Sequence, residues 1–173
     1  MAKLFTLSAD VKKIAQDAID DLIDQLGKDC LLQYPPLPEQ CNNCVYDPIG
    51  NKSSNHWTNG GPMPFPNNSI CPLCNGAGLH FKEQTKAIKL LIANSPSEWF
   101  VKIPAGLQVP SGIIQTKGYI TDLPDVLQSR KLIVQISLEP MVRFVYELYG
   151  EPIDQGNIVQ NRYWVAIWNR IGA

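Results

Sequence analysis

The chain has 173 residues, 45% of them apolar and 18% charged, with a formal net charge of -1. That length suits one globular domain with a modest core, and the flat charge lacks the basic footprint by which proteins hold nucleic-acid phosphates. The opening Met1-Ala2-Lys3-Leu4-Phe5-Thr6-Leu7 turns polar too soon for a signal peptide and no apolar run reaches a membrane span, so the expectation is a protein made in a reducing cytoplasm with no membrane partner.

The first predicted element is a helix over 8–27. Val11, Ile14, Ala15, Ala18, Ile19, Leu22, Ile23 and Leu26 recur at helical spacing, with Lys12, Lys13, Asp17, Asp20, Asp21 and Asp24 on the other face. Ser8 is placed to cap the start and Gly27 to end it. The stripe is expected to pack on its own domain's core, a partner's groove being the alternative.

A strand is predicted over Cys30–Tyr34, after which Pro35, Pro36 and Pro38 break regular structure and Asn, Gly, Pro and Ser dominate to about Gly78. This stretch reads as an elaborated loop, an insertion over 37–81. Its anchor is two C-x-x-C pairs, Cys41/Cys44 and Cys71/Cys74, the second opening Cys71-Pro72-Leu73-Cys74-Asn75-Gly76-Ala77-Gly78. Two residues between cysteines let both sulfurs of a tight turn reach one ion, and four thiolates make a closed tetrahedral site for structural zinc. The glycines after Cys74 supply the positive φ angles needed where backbone wraps metal-bound sulfur. Twenty-six residues separate the pairs, too many for a structureless loop without such an anchor. Cys30 stands outside the pairing and reads as a small buried apolar residue. His56 lies in the spacer as an alternative ligand that four cysteines make unnecessary.

Residues 82–173 read as a β-rich body. Short β-prone runs at Lys86–Ile92, Trp99–Ile103, Ile113–Ile120, Lys131–Leu138, Arg143–Tyr149 and Tyr163–Arg170 predict a small barrel or sandwich. Leu123-Pro124-Asp125-Val126-Leu127 reads as a helical turn and Asp154-Gln155-Gly156-Asn157 as a hairpin turn. The run Tyr163-Trp164-Val165-Ala166-Ile167-Trp168 has no polar alternation, so both of its faces should be covered, by the N-terminal helix or by a neighbouring subunit. The fold class expected is thus mainly β with an N-terminal helix: a small β-barrel or sandwich carrying a four-cysteine zinc-stapled loop, organised as a single domain.

No catalytic constellation is legible. The only histidines are His56 and His80, and there is no G-x-S-x-G elbow, phosphate-cradling loop or H-E-x-x-H. The carboxylates Asp122, Asp125, Glu147, Glu151 and Asp154 sit at turns or strand ends, where solvation and capping account for them. The chain is not expected to be an enzyme.

Two resemblances follow from these residues. The run Cys71-Pro72-Leu73-Cys74-Asn75-Gly76-Ala77-Gly78 resembles one C-x-x-C-x-G-x-G repeat of the DnaJ-type zinc module. The first pair, Cys41-Asn42-Asn43-Cys44, lacks the glycines and no J domain is present, so the chaperone function does not carry over. Across most of the chain, the helix ending Asp24-Gln25-Leu26-Gly27-Lys28-Asp29, the strand Cys30–Tyr34, the β-rich body and a closing hairpin from Gly150-Glu151-Pro152 to Arg162-Tyr163-Trp164-Val165-Ala166 are similar to tailed-bacteriophage neck proteins, the head-closure or head-to-tail connector proteins.

That resemblance implies a structural virion protein made in the host cytoplasm. It would be a homo-oligomeric ring between portal and tail that encloses DNA without reading its sequence, closes the channel and docks tail proteins, with a portal or adaptor protein above. A ring subunit needs two different contact faces; Met63 and Phe65 in the Pro62–Pro66 loop, with Trp164 and Trp168 in the last strand, are the interface candidates. The alternative is a zinc-ribbon module that binds nucleic acid or protein.

Overall fold

A computed structural model of the chain describes residues 8–99, 111–138, 141–155 and 162–172. They divide into two compact units, residues 35–84 and the flanking segments on either side, where the sequence suggested one domain with a loop inserted at 37–81.

The elements in chain order are α1 (Ala9–Leu26), β1 (Lys28–Gln33), β2 (Leu37–Gln40), β3 (Cys44–Asp47), β4 (Lys52–Trp57), β5 (Leu79–Lys82), β6 (Thr85–Ala93), β7 (Ile113–Tyr119), α2 (Leu123–Gln128), β8 (Lys131–Leu138), β9 (Met141–Leu148), β10 (Ile153–Asp154) and β11 (Tyr163–Ile171). Among the described residues, no helix is long and apolar enough to cross a membrane.

The larger unit is a closed, antiparallel six-stranded barrel in the order β11-β7-β6-β1-β8-β9, with β9 returning to β11 and β10 added along β11. Closure removes the exposed sheet edges that would otherwise recruit other strands. Period-two alternation sends Leu32, Leu90, Leu132, Trp164, Ala166 and Trp168 inward, along with Cys30. Burial, reinforced by Asp29, pushes the Cys30 thiol up to about 12, as fits an inert core residue. Trp164 and Trp168 are 0% exposed. They fill the barrel rather than lie on a surface that a neighbour could reach, which corrects their reading as interface residues. Gly118 sits opposite Trp164 in register, and a Cβ there would lie 2.7 Å from the indole. The Trp168 indole N–H donates to Thr116 Oγ1 at 2.8 Å.

One end of the barrel is plugged by α2, whose Val126 is fully buried in the core. Asp125 on that helix accepts from Tyr34 Oη at 2.9 Å and pairs with Lys86 at 2.5 Å, tying α2 to β6 and to the residue after β1.

The outer face of the last strand is covered largely as the helix alternative expected. The Tyr163 hydroxyl meets the Gln16 carbonyl and Asp20 Oδ1 of α1 at 3.2 and 2.7 Å, Arg162 pairs with Asp20, and Lys89 Nζ donates to the Asp24 carbonyl at 2.6 Å. Farther along, Ile167 packs with Ala93, Trp99 and Ile113. Ser8 caps α1 through Val11 N–H, as expected. Gly27 ends it with φ -62°, an ordinary value; glycine is required because a Cβ would stand 2.2 Å from the Ile23 carbonyl oxygen.

The apolar stripe of α1 departs from expectation. Only Ile23 is fully buried, while Val11, Ile14, Leu22 and Leu26 are 46%, 68%, 46% and 66% exposed. The helix lies on the barrel by the side bearing Gln16, Asp20 and Ile23, because Tyr119, Tyr163 and Arg162 offer polar partners there.

Of the expected strand Trp99–Ile103, Trp99 follows a short 3-10 turn at Pro96–Glu98 and the remainder lies outside the described residues. Of the expected turn at 154–157, Asp154 instead pairs with Trp164, and Gly156 and Asn157 lie outside the described residues.

Candidate metal centre

Residues 35–84 are more ordered than the predicted loop. They form two small antiparallel sheets, β2 with β5 and β3 with β4. Strands of four to six residues, β2 containing Pro38, carry too little alternation to show in a sequence, and a 50-residue unit has little surface to bury. What gathers it is the cysteine cluster. Cys41, Cys44, Cys71 and Cys74 are all buried, with their four Sγ atoms within 4.8 Å of one another. Cys41 Sγ to Cys71 Sγ is 3.9 Å and Cys44 Sγ to Cys74 Sγ is 3.6 Å. Four thiolates at about 2.3 Å from one ion stand about 3.8 Å apart at the corners of a tetrahedron, so the donor set fits a single metal ion. His56 is exposed and stands apart from the cluster.

The backbone after the second pair does what its glycines suggested. Asn75, Gly76 and Gly78 have φ of 52°, 83° and 73°, and a Cβ on Gly78 would lie 2.6 Å from Ser53 N. This close turn lets Gly78 N–H donate to Cys74 Sγ at 3.2 Å, Ser53 N–H to the Gly76 carbonyl at 3.0 Å and Cys41 N–H to the Gly78 carbonyl at 2.9 Å. Both cysteine pairs and β4 are thereby stitched to one loop.

Asn43 went unremarked in the sequence. It sits between the ligands of the first pair and is 0% exposed. Its Nδ2 donates to the Met63 carbonyl at 2.8 Å and to Cys71 Sγ at 3.5 Å, and its Oδ1 accepts from Met63 N–H at 2.8 Å. One carboxamide therefore clamps the first pair to the second and to the Pro62–Pro66 loop. Burial opposes ionisation of Cys71, but the Asn43 amide and the N–H groups of Cys74 and Leu73 outweigh it and hold the thiol down at about 6. Burial pushes Cys44 up to about 12 and also raises Cys41.

Of the two interface candidates here, Phe65 is half-buried against the cysteines and Met63 is exposed. Ile49, at the β3–β4 turn, and Ile70, beside Cys71, are 95% and 68% exposed.

No family model matches the chain, and no curated protein or solved structure matches it significantly.

Proposed function

We propose that the four-cysteine cluster holds a structural zinc ion and that the protein is a structural component of a tailed-phage neck, assembling as a ring between portal and tail. The observation that carries the reading is the association of a closed barrel and N-terminal helix with a four-thiolate cluster whose donors are all protein sulfurs. A tetrahedral site filled by four thiolates leaves no open coordination position, so its contribution is to folding rather than to chemistry. In small zinc peptides such binding is worth roughly 10–16 kcal/mol of folding free energy. That suits an assembly part under mechanical load.

The proposed role is non-catalytic: subunits join head to tail, the ring encloses DNA without sequence-specific contacts, and exposed loops dock the portal-side and tail-side proteins. A second reading, a zinc-ribbon module that binds a protein partner, is favoured by the exposed Ile49, Met63 and Ile70 of the metal unit. Native mass spectrometry of the purified chain, with and without a recombinant portal ring, tests both. One zinc per chain with portal-dependent closed rings is the expected result; zinc-loaded chains that never associate with a portal would reject the neck role and favour the module. Metal-free, fully reduced and folded protein would overturn the zinc assignment.

A further inference from the structure

The surroundings of the four clustered sulfurs differ between the two pairs. Cys41 and Cys44 line an open groove of about 440 Å³ together with Gln40, Val45, Tyr46 and Thr58. The second pair is hemmed in by hydrogen-bond donors. Cys71 is 0% exposed and accepts from Asn43 Nδ2 at 3.5 Å and from the N–H groups of Leu73 and Cys74. Cys74, the most exposed of the four at 8%, accepts from Gly78 N–H at 3.2 Å. Facing the first pair are the Asn43 N–H, on Cys41, and the Ser53 hydroxyl, on Cys44.

A bound metal ion holds all four sulfurs as thiolates, so ionisation does not separate them. What remains is access and the strength of the donors around each sulfur. Donors that stabilise a thiolate lower its nucleophilicity, which protects Cys71 most. The groove, which Cys41 and Cys44 line and Cys71 and Cys74 do not, then decides where a small oxidant arrives.

We propose that Cys41 and Cys44 form an oxidation site, at which hydrogen peroxide entering by the groove converts the pair to a disulfide and releases the metal. This rests on the zinc assignment above and is independent of the neck reading. One thiolate attacks a peroxide oxygen and the O–O bond breaks, giving a sulfenic acid and hydroxide. The second thiolate attacks the sulfenic sulfur and the S–O bond breaks, giving the disulfide and a second hydroxide. Two electrons thus pass from two sulfurs to one peroxide. All four Sγ atoms lie within 4.8 Å of one another, so proximity in the intact cluster does not choose the second sulfur; the loss of a ligand does. Once the ion loosens, Cys71 and Cys74 lose the tether it supplied, whereas Cys41 and Cys44 stay joined through two residues, the shortest loop on offer. The two thiolates left cannot fill a tetrahedral site, so oxidation removes the staple of residues 35–84.

The test uses the full wild-type chain, reduced, loaded with zinc and titrated with hydrogen peroxide. A chromophoric chelator reads the metal released above an untreated control, and peptide mass mapping after alkylation of free thiols identifies the first disulfide formed. The expected result is release of one ion per chain in step with a Cys41–Cys44 disulfide, with Cys71, Cys74 and the barrel's Cys30 recovered as alkylated thiols. A thiol reductant with added zinc should reverse it. A first disulfide within Cys71 and Cys74, or between the two pairs, would overturn the site while leaving the zinc assignment intact. Metal that stays bound while peroxide oxidises an equal concentration of a free small thiol would do the same. A reduced, folded starting sample that takes up no zinc would overturn the zinc assignment and this proposal together.

Discussion

The Asn43 side-chain amide stands 3.5 Å from the Cys71 sulfur, and the same carboxamide exchanges two further hydrogen bonds with Met63. An N–H directed at a thiolate stabilises its charge and fixes its position. Replacing Asn43 with Ala should weaken binding of the proposed zinc ion by roughly 10–100-fold, as loss of an outer-sphere partner does at metal sites. Competition with a chromophoric chelator measures it; unchanged affinity would show that the carboxamide serves only to hold the Met63 loop.

Removing the metal should have a local effect. Residues 35–84 have two small sheets and a core of four cysteines with Phe65 and Leu73 against them, so an ion held by the four sulfurs would supply what apolar burial does not. Hydrogen exchange after chelation should show protection lost over 41–78, with β7 and β11 of the barrel still protected. Simultaneous loss in both units would contradict this.

Inside the barrel, Thr116→Val is the informative change. It keeps the shape but leaves the buried Trp168 N–H without the acceptor now 2.8 Å away. An unsatisfied buried donor costs about 1–3 kcal/mol. Denaturant unfolding followed by tryptophan fluorescence should show a stability loss of that order, read as a lower midpoint with an unchanged slope.

Acid should act through Asp125. Lys86 first, and the Tyr34 hydroxyl next, hold its carboxyl below the ordinary value of 3.8. A carboxylate with a lowered folded-state pKa stabilises the fold above its ordinary pKa and loses that contribution as pH falls through the lowered one. Asp125→Asn should therefore lower the melting temperature at neutral pH and flatten its decline below pH of about 4. A variant curve that superimposes on wild type down to acid pH would show that the contact with Tyr34 and Lys86 contributes nothing to stability.

How far the sequence disclosed this arrangement depends on the range over which each feature is encoded. The ends of α1 were legible because Ser8 and Gly27 act within one turn, and Cys41, Cys44, Cys71 and Cys74 because ligand spacing is itself a local geometry. The strands of the barrel were legible from alternation. Which side of α1 meets the barrel was not, since that choice belongs to Tyr119, Arg162 and Tyr163, about a hundred residues or more away. The inward direction of Trp164 and Trp168 was equally hidden in a strand apolar on both faces. Their shared parity with Ala166, and Gly118 facing Trp164, were the available signals. Asn43 left no trace in any periodic pattern, because its role is a single buried carboxamide meeting a loop twenty residues on.

The chain of the cysteine-bearing unit leaves the barrel after Tyr34 and returns at Thr85, and Gln33 and Thr85 are partners in the β1–β6 ladder. Its two ends are thus held side by side by a hairpin that already exists, so lengthening, shortening or exchanging everything between them changes only a loop-closure entropy that grows slowly with length. The arrangement makes residues 35–84 a cassette: selection can rewrite what it presents, or trade it for a two-residue turn, without disturbing the strand register of the barrel that bears it.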